Sequence, residues 1–299
     1  MGSKGLDNSN PIGVFDSGLG GLSVLNEIHQ LLPDENLIYI GDSAYAPYGD
    51  NEIDIIRNRC LSISNFLVQQ GVKAIVVACN TATAEAIETI RKTIPVPIIG
   101  LEPAIKPAVK ISQNGIIGIL ATQRTIDSGR LSHLTKQYVG ADSRVIKQAC
   151  PGLAEQVEQG ELNSDDTKEL LIQYLDPLLA QNIDTLILGC THYPFLIKTI
   201  KSIINERLKD KEINIIETSK PVALQLQRVL AHHKLENKLA CSNSKAKLEF
   251  YNSSKEPVVL ENMKKLWNLL NCLDDHANVD VINMPIAIKA LPKIEYKDD

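Results

Sequence analysis

Short apolar runs recur along this chain, and most end on a glycine, a cysteine or a small polar residue before apolar positions resume at helical spacing. Ile12 to Phe15 predicts a strand. The turn Asp16-Ser17-Gly18-Leu19-Gly20-Gly21 then opens a helix through Leu22, Leu25, Ile28 and Leu32, which Pro33 stops. Leu37 to Ile40 predicts the next strand, closing on Gly41-Asp42-Ser43. Residues 52–70 read as a helix with Gly71 as its stop, Ala74 to Ala78 as a strand and Thr81 to Thr93 as a helix. After the Pro95-Val96-Pro97 break the pattern restarts. Strands are expected near 98–100, 115–120, 144–148, 185–188 and 213–216, with helices after Glu102-Pro103 and at 129–138, 153–160, 165–181, 194–208 and 221–232. Beyond about residue 233 the signals thin to a strand at 248–251 and an amphipathic helix at 259–270. Strands alternating with helices argue for parallel sheets covered on both faces.

Two stretches repeat one grammar. Ala74 to Ala78 delivers Cys79-Asn80-Thr81 to the start of a helix, and Leu186-Ile187-Leu188-Gly189 delivers Cys190-Thr191-His192-Tyr193-Pro194 to another. A strand, a hydroxyl-bearing turn and a helix also occur both at 12–32 and at 116–138. The repetition implies two similar half-domains facing each other, one cysteine on each side of a shared cleft. Ligands of open α/β sheets bind at the carboxyl ends of strands, where helix N–H groups converge.

The rest of the composition narrows the function. With 299 residues, 44% hydrophobic and 22% charged, the chain fits a globular protein with a sizeable core. A net charge of −5 gives no support for nucleic-acid binding. Residues 1–10 lack an apolar core, so no signal peptide is expected, and Leu6 breaks a myristoylation pattern. Apolar runs are strand-sized, so no membrane span is expected. The six cysteines (Cys60, Cys79, Cys150, Cys190, Cys241, Cys272) form no C-x-x-C pair, which suits reduced thiols in the cytoplasm.

Several chemistries compete for these motifs. Gly18-x-Gly20-Gly21 with Asp42 beyond it invites a dinucleotide reading, but the third glycine of that fingerprint falls at Ser23. The glycines instead suit close approach of backbone N–H groups to an anion. Neither cysteine motif has a second ligand at zinc spacing, so no metal is expected. Cys190 with His192 is a workable hydrolase or decarboxylase pair, which leaves Cys79 idle. Two facing thiols fit inversion of a stereocentre better, since each face of Cα needs a group able to give and take a proton. A thiol, with an ordinary pKa of about 8.5, is usable for this once tuned. Asp16 and His192 stand beside the two cysteines as proton-transfer partners. Ser17, Asn80, Thr81, Thr122, Thr125 and Thr191 together offer hydrogen bonds for carboxylates.

Taken together, Asp16-Ser17-Gly18-x-Gly20-Gly21, Gly41-Asp42-Ser43 with Pro47-Tyr48-Gly49, Cys79-Asn80-Thr81-Ala82 and Gly189-Cys190-Thr191-His192-Tyr193-Pro194 resemble the glutamate racemases of bacterial cell-wall synthesis. The resemblance runs from about residue 11 to 270. It implies cofactor-independent interconversion of L- and D-glutamate by a cytoplasmic enzyme, with a homodimer expected. It implies an α/β fold of two pseudo-symmetric open parallel-sheet domains facing a shared cleft, the first formed by 1–98 plus 211–270, the second by 99–210, with 271–299 an appendage. Cys79 and Cys190 take the acid/base positions, assisted by Asp16, His192 and Glu158. Asp16, Ser17, Tyr48, Gly49, Asn80, Thr81, Thr122, Thr125, Thr191 and His192 take the substrate positions. Ser43 and Tyr45 stand where Thr and Arg are common, and Glu217-Thr218-Ser219-Lys220 replaces a more usual Asp-Ser-Ala type run.

Overall fold

The computed structural model describes residues 8–209, 212–237, 246–272 and 288–290. The chain runs β1 (Ile12–Asp16), α1 (Leu22–Leu31), β2 (Leu37–Gly41), α2 (Ile53–Gln69), β3 (Ala74–Val77), α3 (Asn80–Thr93), β4 (Ile98–Gly100), α4 (Ile105–Ile111), β5 (Ile116–Ala121), α5 (Gln123–Asp127), α6 (Gly129–Tyr138), β6 (Arg144–Ala149), α7 (Leu153–Glu158), α8 (Asp165–Ala180), β7 (Thr185–Leu188), α9 (Ile197–Leu208), β8 (Asn214–Ile216), α10 (Ser219–His233), β9 (Leu248–Asn252), α11 (Pro257–Cys272) and β10 (Ile288–Ala290). Strands β1, β2, β3 and β7 are buried at every position, as apolar runs covered on both faces must be.

Two all-parallel sheets result, in the orders β10-β9-β2-β1-β3-β4 and β6-β5-β7-β8. The segment β2-β1-β3-β4 repeats as β6-β5-β7-β8, so the internal repetition read from the sequence is a repeat of topology. In each sheet the chain leaves the middle strand in one direction and returns on its other side. That switch opens a crevice at the carboxyl ends of β1 and β3, and another at the ends of β5 and β7. Asp16 and Cys79 flank the first crevice; Thr122 and Cys190 flank the second.

Two strand pairings bear on the expected division of the chain. β4 pairs with β3, so the first sheet continues to Gly100 rather than ending at 98. β8 pairs with β7, so residues 214–216 belong to the second sheet although 211–270 was assigned to the first. α9 is the crossover helix that carries the chain from β7 to its parallel neighbour β8. The region 271–299 was read as an appendage. Most of it lies outside the described residues, but β10 adds an edge strand to the first sheet beside β9. Cys241 also lies outside the described residues.

The domains share a core. Leu19, Leu22, Leu25 and Ile28 of the α1 region form one apolar cluster with Leu226 and Leu230 of α10, Met263 and Trp267 of α11, and Leu153, Val157, Leu171 and Tyr193 of the second domain. A second cluster packs α2 and α3 on the first sheet, and a third packs α4 and α6 on the other. Apolar burial therefore fixes one side of the domain junction. Polar residues are left to line the end where the strands point.

Candidate active site

Cys79 ends β3 and caps α3, its thiol standing where a serine or aspartate oxygen would: Sγ accepts the Ala82 N–H at 3.4 Å. It also donates to Ser17 Oγ at 3.7 Å. Burial, then the Asp16 carboxylate, push this thiol well above its ordinary range, against the opposing pull of the Ala82 and Ser17 hydrogen bonds. Cys79 therefore rests protonated at neutral pH.

Cys190 follows β7, its Sγ 3.4 Å from His192 Nδ1. His192 is buried, and its Nε2 lies 2.7 Å from Glu158 Oε1. Burial alone would lower the imidazole pKa. The Cys190 sulfur and the Glu158 carboxylate outweigh it and raise the pKa well above the ordinary value. The favoured state is an imidazolium between the Cys190 sulfur and the Glu158 carboxylate.

The glycine turn explains how these groups fit together. Leu19 N–H donates to Glu158 Oε1 at 2.6 Å, and Gly21 N–H donates to Asp16 Oδ2 at 2.5 Å. The anions approached by the backbone are thus the protein's own carboxylates. A Cβ on Gly18 would fall 2.0 Å from Glu158 Oε1, and one on Gly20 would fall 2.5 Å from His192 Nδ1, so only glycine admits these side chains. Asp16 is fully buried, takes Ser17 N–H at 2.7 Å on Oδ1 and receives the Thr191 hydroxyl at 3.2 Å on Oδ2. Its pKa is raised chiefly by burial, with His192 lowering it and Glu158 raising it.

Both thiols line one small cavity together with Ser17, Tyr48, Gly49, Asn80, Thr81, Thr122, Thr191 and His192. Asn80 is buried, and neither its Oδ1 nor its Nδ2 has a partner in the protein. A buried amide without partners is costly, so its natural complement is a polar ligand in the cavity. Thr81 Oγ1 meets Thr122 Oγ1 at 3.0 Å and Thr125 Oγ1 at 3.3 Å, which closes hydroxyls of the two domains across the cleft.

Not every expected residue stands on the cavity wall. Asp16 and Glu158 lie behind it, acting on His192, Thr191 and the turn, and Thr125 lies behind Thr81 and Thr122. Tyr48 lines the cavity, yet its hydroxyl donates to Asp42 Oδ2 at 2.6 Å. Arg59 holds the same carboxylate through Nε at 2.8 Å and Nη2 at 2.6 Å. Asp42 and Arg59 were not among the residues expected at the site; Asp42 stood out in the sequence as a candidate ribose partner and within the Gly41-Asp42-Ser43 motif. A larger cavity of about 480 Å³ lies between β4, α4, α6 and α10, lined by residues such as Arg91, Lys106 and Tyr138, and holds neither thiol.

Two open parallel-sheet domains thus meet with a thiol from each in one cavity. A match to the Asp/Glu/Hydantoin racemase family covers residues 12–218, and the chain belongs to that family. It is 50% identical over 226 residues to the glutamate racemase of Ectopseudomonas mendocina (strain ymp), covering 75% of this chain and 84% of that one. Among solved structures it is similar to a glutamate racemase isoform from Bacillus anthracis, with TM-score 0.77, 31% identity, and 95% and 98% of the two chains covered. It is also similar to Escherichia coli glutamate racemase in complex with L-glutamate and the activator UDP-MurNAc-ala, with TM-score 0.74, 28% identity, and 87% and 95% covered.

Proposed function

We propose that this enzyme interconverts L- and D-glutamate by two-base proton transfer between Cys79 and Cys190, supplying D-glutamate for peptidoglycan. The observation that carries the reading is that both thiols line one cavity, each at the switch point of its own sheet. One thiolate takes the Cα proton, and the C–H electron pair passes into the carbanion shared with the α-carboxylate. The opposite thiol then delivers its proton to the other face, and the two sulfurs have exchanged roles. Cys79, resting protonated, is the donor in the resting site, and Cys190 beside His192 is the base. In the reverse direction Cys79 becomes the base, with Asp16 close behind its Ser17 partner.

The substrate contacts assigned here are Ser17, Asn80, Thr81, Thr122 and Thr191, with the wall formed by Tyr48 and Gly49. His192 is the one basic side chain on that wall among the described residues, so hydroxyl, amide and N–H donors hold the carboxylates. Among the described residues no helix is long and apolar enough to cross a membrane. The buried free thiols Cys60, Cys79, Cys150 and Cys190 fit a cytoplasmic protein, and a homodimer is expected from the family resemblance. Sedimentation tests the latter.

Incubation of the purified protein with each enantiomer of glutamate in D2O, with no added cofactor, tests the reaction. Loss of optical rotation with deuterium entering Cα from both sides is expected. Cys79→Ala and Cys190→Ala should each abolish racemisation in a folded protein, and full activity in either removes the two-base mechanism.

A further inference from the structure

Helix α7 ends at the residue that orients His192, and its ending is controlled from the other domain. Gly160, at φ +78°, closes the helix: its N–H reaches Val157 O at 3.0 Å and the Glu161 N–H reaches Gln156 O at 2.8 Å. Those two bonds are the crossed pair by which a glycine terminates a helix. The Glu158 carbonyl, one of the acceptors a helix end leaves free, takes Nδ2 of Asn262 at 3.0 Å. Asn262 is buried on α11 and packs against Gly160, where a Cβ would come 3.2 Å from its Oδ1. Helix α11 is anchored on the first domain, with Trp267 5.3 Å from Phe250 and 6.1 Å from His29 between ring centroids.

We propose that Asn262 is a positioning residue: its amide fixes the last turn of α7 from the first domain and so aims the Glu158 carboxylate at His192. The proposal rests on the assignment of Glu158 and His192 to the Cys190 side of the reaction. It makes the first domain responsible for orienting a second-domain acid/base group from behind, while the Leu19 N–H orients the same carboxylate from in front. The groups facing His192 are Cys190 on its own segment, Glu158 from α7 and Asp16 from β1. Of these, Asn262 touches only Glu158.

Asn262→Leu keeps the size and removes the donor. Asn262→Ala removes the donor without the branched end, and serves if the leucine variant fails to fold. With Glu158 no longer held, its support for the imidazolium weakens. The His192 titration, followed by NMR of the labelled imidazole, should move to lower pH, and the basic limb of kcat/KM should move with it. We expect kcat to fall on the order of tenfold with KM little changed, as for a misaligned catalytic group. In a Glu158→Gln background the Asn262 substitution should add nothing further. An unmoved His192 titration in folded Asn262 variants overturns the proposal, as does a full additive loss in the double variant. If Glu158→Gln itself leaves His192 unmoved, the reading of the site falls and the proposal with it. If Glu158→Gln acts and Asn262 is silent, the proposal alone falls.

Discussion

Cys190 lies 3.4 Å from the imidazole of His192, while Cys79 has a serine hydroxyl 3.7 Å away and, among the described residues, no imidazole hydrogen bond. In the proposed reaction the two thiols are thus supported asymmetrically. The equilibrium constant of a racemisation is unity, so kcat/KM for the two enantiomers must fall together in any variant. The asymmetry can appear only in how the barrier is divided.

Replacing His192 by Asn should therefore lower kcat/KM in both directions by about 10²- to 10⁴-fold, the range for loss of acid–base assistance. The primary isotope effect of Cα-deuterated substrate should rise more for the enantiomer whose proton is taken on the Cys190 side. Equal isotope effects for L- and D-glutamate in the variant would show that His192 serves both thiols alike.

The pH dependence of stability follows from the same groups. His192 has a folded-state pKa above its ordinary value, so the native protein holds that proton more tightly than the unfolded chain does. Its stabilising contribution is complete below about pH 6.5 and is lost as pH rises through the elevated native value. Asp16 and Cys79 are shifted in the same direction, so each also makes the native state less favourable as pH rises above its unfolded pKa. Urea unfolding at a series of pH values should show stability declining from mildly acidic to alkaline conditions. The gap between wild type and His192→Asn should be widest below pH 6.5 and narrow above it. A gap that widens with pH would reverse the sign and refute the assignment.

Arg59 and Asp42 form a buried pair, with side chains 7% and 0% exposed and the Tyr48 hydroxyl completing the carboxylate. Arg59→Ala leaves that carboxylate buried without its cation, a change that costs about 3–5 kcal/mol. Because Asp42 also holds Tyr48, activity should fall along with the urea midpoint. Replacing both members by apolar residues of similar volume should recover most of the stability but not the activity. Stability lost equally in the double variant would mean that packing, rather than the unpaired charge, dominates.

What could be read from the sequence was what local pattern encodes. Apolar runs marked the strands, and the residues at their ends marked the crevices, so Cys79 and Cys190 were identifiable from position alone. Helix α5 was read as a turn because Gln123–Asp127 has no apolar periodicity; only Thr125 in it is buried. Arg59 carried no signal, since its task is set by how α2 lies against the end of β2. Asn262 carried none either, its partner being 104 residues away in the chain. Groups at the ends of strands are announced by the turn that follows them, whereas groups that support them from neighbouring helices are defined only by packing.

Substrate entry requires the cleft to open. The cavity between the thiols is about 10 Å³, space for about one water molecule, and Thr81 is hydrogen-bonded across it to Thr122 and Thr125. Glutamate cannot enter without the two domains parting. At the rim, Arg124 Nη2 also crosses the cleft to the Asn51 carbonyl at 2.6 Å, and that bond must break as well. The continuous apolar core beneath leaves the junction on the α1 side as the pivot and the hydroxyl side as the mouth. Amide hydrogen exchange should consequently be faster at Tyr48–Asn51 and Thr122–Asp127 than in β3 or β7, and should slow at the rim when glutamate is added at saturation. Rim amides as protected as those of the central strands, and unchanged by substrate, would mean that glutamate arrives by some other route.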